Sequence, residues 1–174
     1  MRNLIPPKEL SNKINCQGWV EMVFPSSWGS EENESFIASI AEALQVMVRQ
    51  HFNFGPEDAR RGRHMVGMIF WESITNAIIH GNQGKGTIIT GIWLGEKGVI
   101  FGVKDEGKFF SKKEIKDKIE RKEHISSTGD LAQHYGEGLG YIYEGGDILR
   151  VETEQNALFV LVSKEKLVSE SETE

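Results

Sequence analysis

The chain has 174 residues, 39% of them hydrophobic and 26% charged, the size and balance of one globular domain that can bury a core without a staple. Its formal charge of −6 argues against direct binding to nucleic acid or an acidic membrane surface, both of which reward a basic face. One cysteine, Cys16, excludes an internal disulfide framework and a cysteine metal cluster, and no apolar run suits a signal peptide or a bilayer span, so a soluble cytoplasmic protein is expected.

Residues 1–16 read as a loose N-terminal arm. Gln17 to Phe24 reads as an edge strand, closed by Pro25 and two serines. From about Asn33 to His51, Phe36, Ile37, Ile40, Ala41, Leu44, Met47 and Val48 recur at helical spacing. Gly55-Pro56 breaks that helix, and a second is expected from Glu57 or Asp58 to about His80, ending in a C-cap and loop at Gly81-Asn82-Gln83-Gly84. Gly86–Leu94 and Val99–Lys104 are β-rich and joined by Gly95-Glu96-Lys97-Gly98, a hairpin signal. Ser111–Lys122 is expected as a short polar helix, and Ser126–Asp130 as a mobile connection. The lysines at 108, 112, 113, 116, 118 and 122 and Arg121 are interleaved with acids and read as a solvated face. Gly136–Gly140 turns into another helix to about Glu144, and Asp147–Glu152 and Ala157–Ser163 form the last hairpin, turning at Glu154-Gln155-Asn156. The end, 165–174, reads as an acidic, disordered tail, leaving 17–164 as one domain. The order β-α-α-β-β-α-α-β-β predicts an α+β two-layer sandwich, with a mixed, mostly antiparallel sheet and helices on one face.

Three segments carry chemistry. Glu72 and Asn76 lie four apart and project from nearly one helix face. Phe70, Ile74, Ala77 and Ile78 form one apolar stripe, while Met65, Met68, Ile69 and Ile79 surround the Glu72/Asn76 direction. A carboxylate and a carboxamide in an apolar setting need a partner, which a metal ion or ligand would supply; a solvated helix side is the competing reading. Asp105, leaving a strand with Gly107 two residues on, sets a fixed acceptor beside backbone that a flat base can approach closely, though Asp-x-Gly is also a common β-turn. Gly136, Gly138 and Gly140, around Leu139, open a helix whose free N–H groups suit phosphates. His80 reads as a helix-end histidine complementing the dipole. With five histidines, none in an H-x-x-x-H pair, no dedicated transition-metal site is expected.

Taken in order, Glu-x-x-x-Asn on a helix, Asp-x-Gly after a strand and Gly-x-Gly before a helix resemble the GHKL superfamily of ATPases and kinases, whose domain is the Bergerat fold of histidine-kinase-like ATPases. Glu72–Asn76 is similar to its N-box, and Asp105–Gly107 and Gly136–Gly140 to its glycine boxes. Asn76-Ala77-Ile78-Ile79-His80-Gly81 and Asp105-x-Gly107-x-x-Phe110 most resemble the anti-sigma-factor serine/threonine kinases. The resemblance implies ATP and Mg²⁺ as cofactors, with Asn76 on the metal, Glu72 as general base, Asp105 and Gly107 at adenine, and Gly136, Gly138, Leu139 and Gly140 at the phosphates under a lid over 111–135. It implies a protein partner, a sigma factor or an anti-anti-sigma substrate, and a tendency to dimerise, for which the edge strand offers a route. Two alternatives stay open: a non-catalytic anti-sigma or signalling scaffold of the same fold, and a detached histidine-kinase ATPase domain.

Overall fold

The computed structural model describes residues 4–26, 31–54, 58–83, 85–107, 142, 145–152 and 154–169. Along them run α1 (Lys8–Ile14), β1 (Cys16–Pro25), α2 (Glu31–Phe52), α3 (Asp58–Asn76) continued by a π-helical turn (Ala77–Gly81), β2 (Thr87–Gly95), β3 (Gly98–Lys104), β4 (Ile148–Glu152), β5 (Ala157–Ser163) and α4 (Lys164–Ser169). The helix expected over Ser111–Lys122, the connection at Ser126–Asp130, the lid and Gly136–Gly140 lie outside the described residues.

The strands form one five-stranded sheet in the order β1-β2-β3-β5-β4. Every described pairing is antiparallel, so the mixed sheet expected from the element order is corrected. The reason is local: β2–β3 and β4–β5 are hairpins, and β5 then lies against β3, which runs opposite to it. Lys104 pairs with Ala157, which sets the end of β3 beside the turn between β4 and β5.

Pleating splits the apolar residues of the central strands between two faces. Ile88 and Ile92, Val99, Phe101 and Val103, and Leu158, Val160 and Val162 meet α2 and α3 in the main core. Along α2 the buried residues are Ile37, Ala41, Leu44, Val48 and Phe52, the single stripe that helical spacing demands. Phe70 and Ile74 of α3 and Ala77 and Ile78 of its π turn are buried in the same core, as the sequence predicts. Ile142, in helical backbone, is buried there too and accepts a hydrogen bond from Gly146 N–H.

The opposite face is not bare, which corrects the expectation of helices on one side only. Ile89, Trp93, Ile100, Phe159 and Leu161 pack there with Leu4, Leu10 and Ile14. The supposed loose arm is therefore α1, a lid on the second face. Glu9 in its first turn and Lys13 in its last suit the helix dipole, and Asn15, at φ 53°, closes it in the left-handed conformation. On this face the Trp93 indole lies across Gly91 and Gly102, where any side chain would collide with it. Part of the expected acidic tail also belongs to the fold: Leu167 of α4 is 1% exposed and lies in the main core. The architecture is an α+β sandwich. No described helix is long and apolar enough to cross a membrane.

Candidate functional site

Of the residues singled out in the sequence, Glu72 and Asn76 stand on the last turns of α3, and Asp105 and Gly107 follow β3. Gly136, Gly138, Leu139 and Gly140 lie outside the described residues. Glu72 is 7% exposed, a carboxylate taken almost entirely out of water. Asn76 is partly buried, and its Nδ2 is shut off from solvent with no acceptor among the described residues. The solvated-face reading of this helix is thus excluded for Glu72, since the main core wraps the same turns through Ile69, Phe70 and Ile74.

After Asn76 the α-helix widens. The Asn82 N–H donates to the Ala77 carbonyl at 2.8 Å, an i to i+5 closure that defines the π turn. Such a turn re-aims the chain that follows it. Here it sets Gly81 directly against the Asp105–Gly107 turn. A methyl group built on Gly107 would stand 1.9 Å from the Gly81 carbonyl oxygen, and one built on Gly81 would stand 2.3 Å from Asp105 Oδ2. Two glycines are required because two stretches of backbone pass at contact distance. The π turn that follows Asn76 thus packs against the Asp-x-Gly turn, far from it in the chain. His80 lies exposed in the π turn, where a positive charge suits the end of a helix.

Asp105 is held with unequal oxygens. Its Oδ1 accepts from Gly107 N–H at 2.8 Å and from Asn156 Nδ2 at 3.1 Å. Its Oδ2 faces Gly81. Burial pushes the carboxyl above the ordinary range, and the two hydrogen bonds, from Gly107 and Asn156, pull against that rise. An acceptor fixed in this way can take an N–H from a ligand on the oxygen that the two donors leave unused.

Two site residues escaped the sequence reading. Asn82, read only as part of a loop, is 8% exposed and clips three elements. Its Nδ2 donates to Ser26 Oγ and to the Thr87 carbonyl, and its Oδ1 accepts from Glu106 N–H. Asn156, read only as a hairpin turn, donates to the Asp105 carbonyl at 2.8 Å and the Gly107 carbonyl at 3.0 Å besides Asp105 Oδ1. It holds φ at 53°, a conformation that asparagine tolerates better than most residues. Asparagine in a turn is the only local signal for either, and it does not name a partner.

Among the described residues no three histidine, cysteine, aspartate or glutamate side chains converge as a metal cluster. A divalent ion beside Asn76 would find a neutral side-chain oxygen there. The unpaired amide of Asn76 fits that arrangement, since either an oxygen-rich ligand at Nδ2 or a flip that presents Oδ1 to a cation would satisfy it. The chain matches no protein-family model, and no curated protein matches it significantly.

Proposed function

We propose that this chain is an ATP-binding regulatory protein of the Bergerat fold, acting as a serine/threonine kinase of the anti-sigma-factor type. The observation that carries the reading is the Asp105 carboxylate, anchored through Oδ1, with Oδ2 set against Gly81 and beside the helix that bears Glu72 and Asn76. In this reading Asp105 Oδ2 accepts a hydrogen bond from the adenine amino group, and Gly107, which carries no side chain, lies beside the ring. Further up α3, Asn76 would hold Mg²⁺, which when bound neutralises charge on the phosphates. Gly136, Gly138, Leu139 and Gly140 would donate backbone N–H groups to them.

For phosphoryl transfer, a partner hydroxyl oxygen attacks the γ-phosphorus as the bond to the bridging β–γ oxygen breaks, and Glu72 takes the hydroxyl proton. A carboxylate shielded from water at this point suits a base that acts only when substrate is bound. The partner in this reading is a sigma factor or an anti-anti-sigma protein. A homodimer through β1 belongs to it as well: β1 is a sheet edge, and its Trp19 and Val23 are 57% and 50% exposed.

Calorimetric titration with Mg-ATP tests the binding half. Saturable heat in the wild type that is lost in Asp105→Asn supports it, and no heat at millimolar nucleotide overturns it. Acid-stable phosphoprotein formed by the wild type and abolished by Glu72→Gln supports the kinase. Nucleotide binding with undiminished transfer in Glu72→Gln would remove Glu72 as the base. Binding without any transfer would favour a non-catalytic scaffold, and an acid-labile product would favour a histidine-kinase ATPase domain.

A further inference from the structure

Asn156 sits where the β4–β5 turn hands over to β5, one residue before Ala157, which pairs with Lys104 at the end of β3. From there a single amide nitrogen reaches three acceptors across the strands: the Asp105 carbonyl, the Gly107 carbonyl and Asp105 Oδ1. The first two tie both ends of the Asp-x-Gly turn to the sheet. The third occupies one carboxylate oxygen, already shared with the Gly107 N–H.

A carboxylate on a free aspartate rotates about its terminal bond and offers either oxygen to a ligand. Here Oδ1 is held by two donors, so rotation would break both bonds. Among the described residues that leaves Oδ2, which takes no hydrogen bond, as the oxygen with capacity to accept. A structural asparagine at a left-handed turn needs none of this; glycine at φ 53° would serve the turn equally well.

Resting on the reading of Asp105 as the adenine acceptor, we propose that Asn156 is the positioning residue of the nucleotide site, which fixes the Asp105 carboxylate so that one oxygen alone reads the amino group of the base. Asn156 touches no substrate atom in this scheme. It sets base selectivity through Asp105, and it keeps Gly107 at its distance from Gly81 by holding the turn.

The test compares ATP with the triphosphate of unsubstituted purine riboside, which lacks the 6-amino group, on the wild type and on Asn156→Gly. Glycine retains the backbone conformation and removes only the amide. The wild type is expected to prefer ATP, and Asn156→Gly to lose about tenfold in ATP affinity, as for one orienting hydrogen bond. Its affinity for the 6-unsubstituted analogue should fall much less, by the loosening of the turn alone, so the preference itself collapses.

Equal weakening of both nucleotides, or an unchanged preference, would overturn the role of Asn156 while leaving the site intact. A wild type that binds ATP and the analogue equally would instead remove Asp105 as the reader of the amino group. No binding of either would remove the nucleotide site, and the inference with it. Asn156→Asp provides a second variant if the glycine variant unfolds. It tolerates the same φ, sets a second carboxyl beside Asp105 in place of the amide donor, and should lose the same preference above the pH at which the pair shares a proton. A carbon-13 titration of the Asp105 carboxyl should show its pKa rise in Asn156→Gly, and an unmoved titration would contradict the contact.

Discussion

The contact between Gly81 and Gly107 joins the end of α3 to the turn after β3, and Gly107→Ala is the sharpest way to break it. The added Cβ would lie 1.9 Å from the Gly81 carbonyl oxygen, 2.3 Å from its carbonyl carbon and 2.5 Å from its Cα. Ordinary contact needs 3.4 Å or more, so the two backbones must part by about 1.5 Å. Neither can do so freely. The Gly107 N–H is bonded to Asp105 Oδ1 and its carbonyl to Asn156, while Gly81 is locked between the π turn and the Asn82 clip. Parting them sacrifices two or three hydrogen bonds of about 1 kcal/mol each, which matches the upper end of overpacking costs, about 3 kcal/mol. For a chain of this size that is a fall in Tm of about 6–12 °C. Urea unfolding followed by tryptophan fluorescence, with Trp93 in the core as a reporter, measures it directly. Gly18→Ala on β1 is the control. Nothing lies within 4 Å of its added Cβ, so it should stay within about 0.5 kcal/mol of wild type, on the stabilising side. A Gly107→Ala protein as stable as Gly18→Ala would refute the close approach, and with it the joining of the two motifs in one site.

Further outcomes follow from the same geometry. Asn82→Ala removes the donor to Ser26 and Thr87 and leaves the Glu106 N–H without its acceptor, and should cost about 2–3 kcal/mol by urea unfolding; Ser26→Ala should cost about 1 kcal/mol, and the double variant less than the sum. Leu10→Ala in α1 should cost about 2–4 kcal/mol because Leu10 is 1% exposed, whereas Ile5→Ala, at 62% exposed, should change little; equal small effects would return residues 4–14 to a loose arm. Burial raises the Asp105 carboxyl in the folded state above its ordinary value of 3.8, so the fold binds that proton more tightly than the unfolded chain does. Its stabilising contribution is complete below about 3.8 and is lost as pH rises through the raised folded value, leaving a charged Asp105 that costs stability at neutral pH. Asp105→Asn is therefore expected to melt higher than wild type at pH 7 and to lose that advantage as the pH falls toward 4, and a lower Tm at neutral pH would contradict the sign.

Much of the architecture was legible in local pattern. Apolar residues at helical spacing mark α2 and α3, and the β-branched runs broken by Gly95-Glu96-Lys97-Gly98 and by Glu154-Gln155-Asn156 mark two hairpins, because these signals depend only on neighbours in the chain. Glu72 was legible as a buried polar group for the same reason: its helical wheel has apolar residues on both sides. α1 was not legible. Seven residues with two buried apolar positions carry little periodicity, and they form a helix because Leu10 and Ile14 find Trp93 and Phe159 on a sheet face that the central strands also make apolar. Leu167 of α4 was hidden in an acidic stretch in the same way.

The site divides along the same line. Composition and spacing determined that Glu72, Asn76, Asp105 and Gly107 are polar or glycine positions at the ends of regular elements. Only the tertiary structure decided that Gly81 faces Gly107, that Asn82 clips three elements, and that Asn156 reaches Asp105 across 51 residues. The π turn rotates Gly81 into place, and the pairing of Lys104 with Ala157 brings Asn156 alongside. Both depend on how distant strands and helices settle against one another, and a window of neighbouring residues holds no record of that.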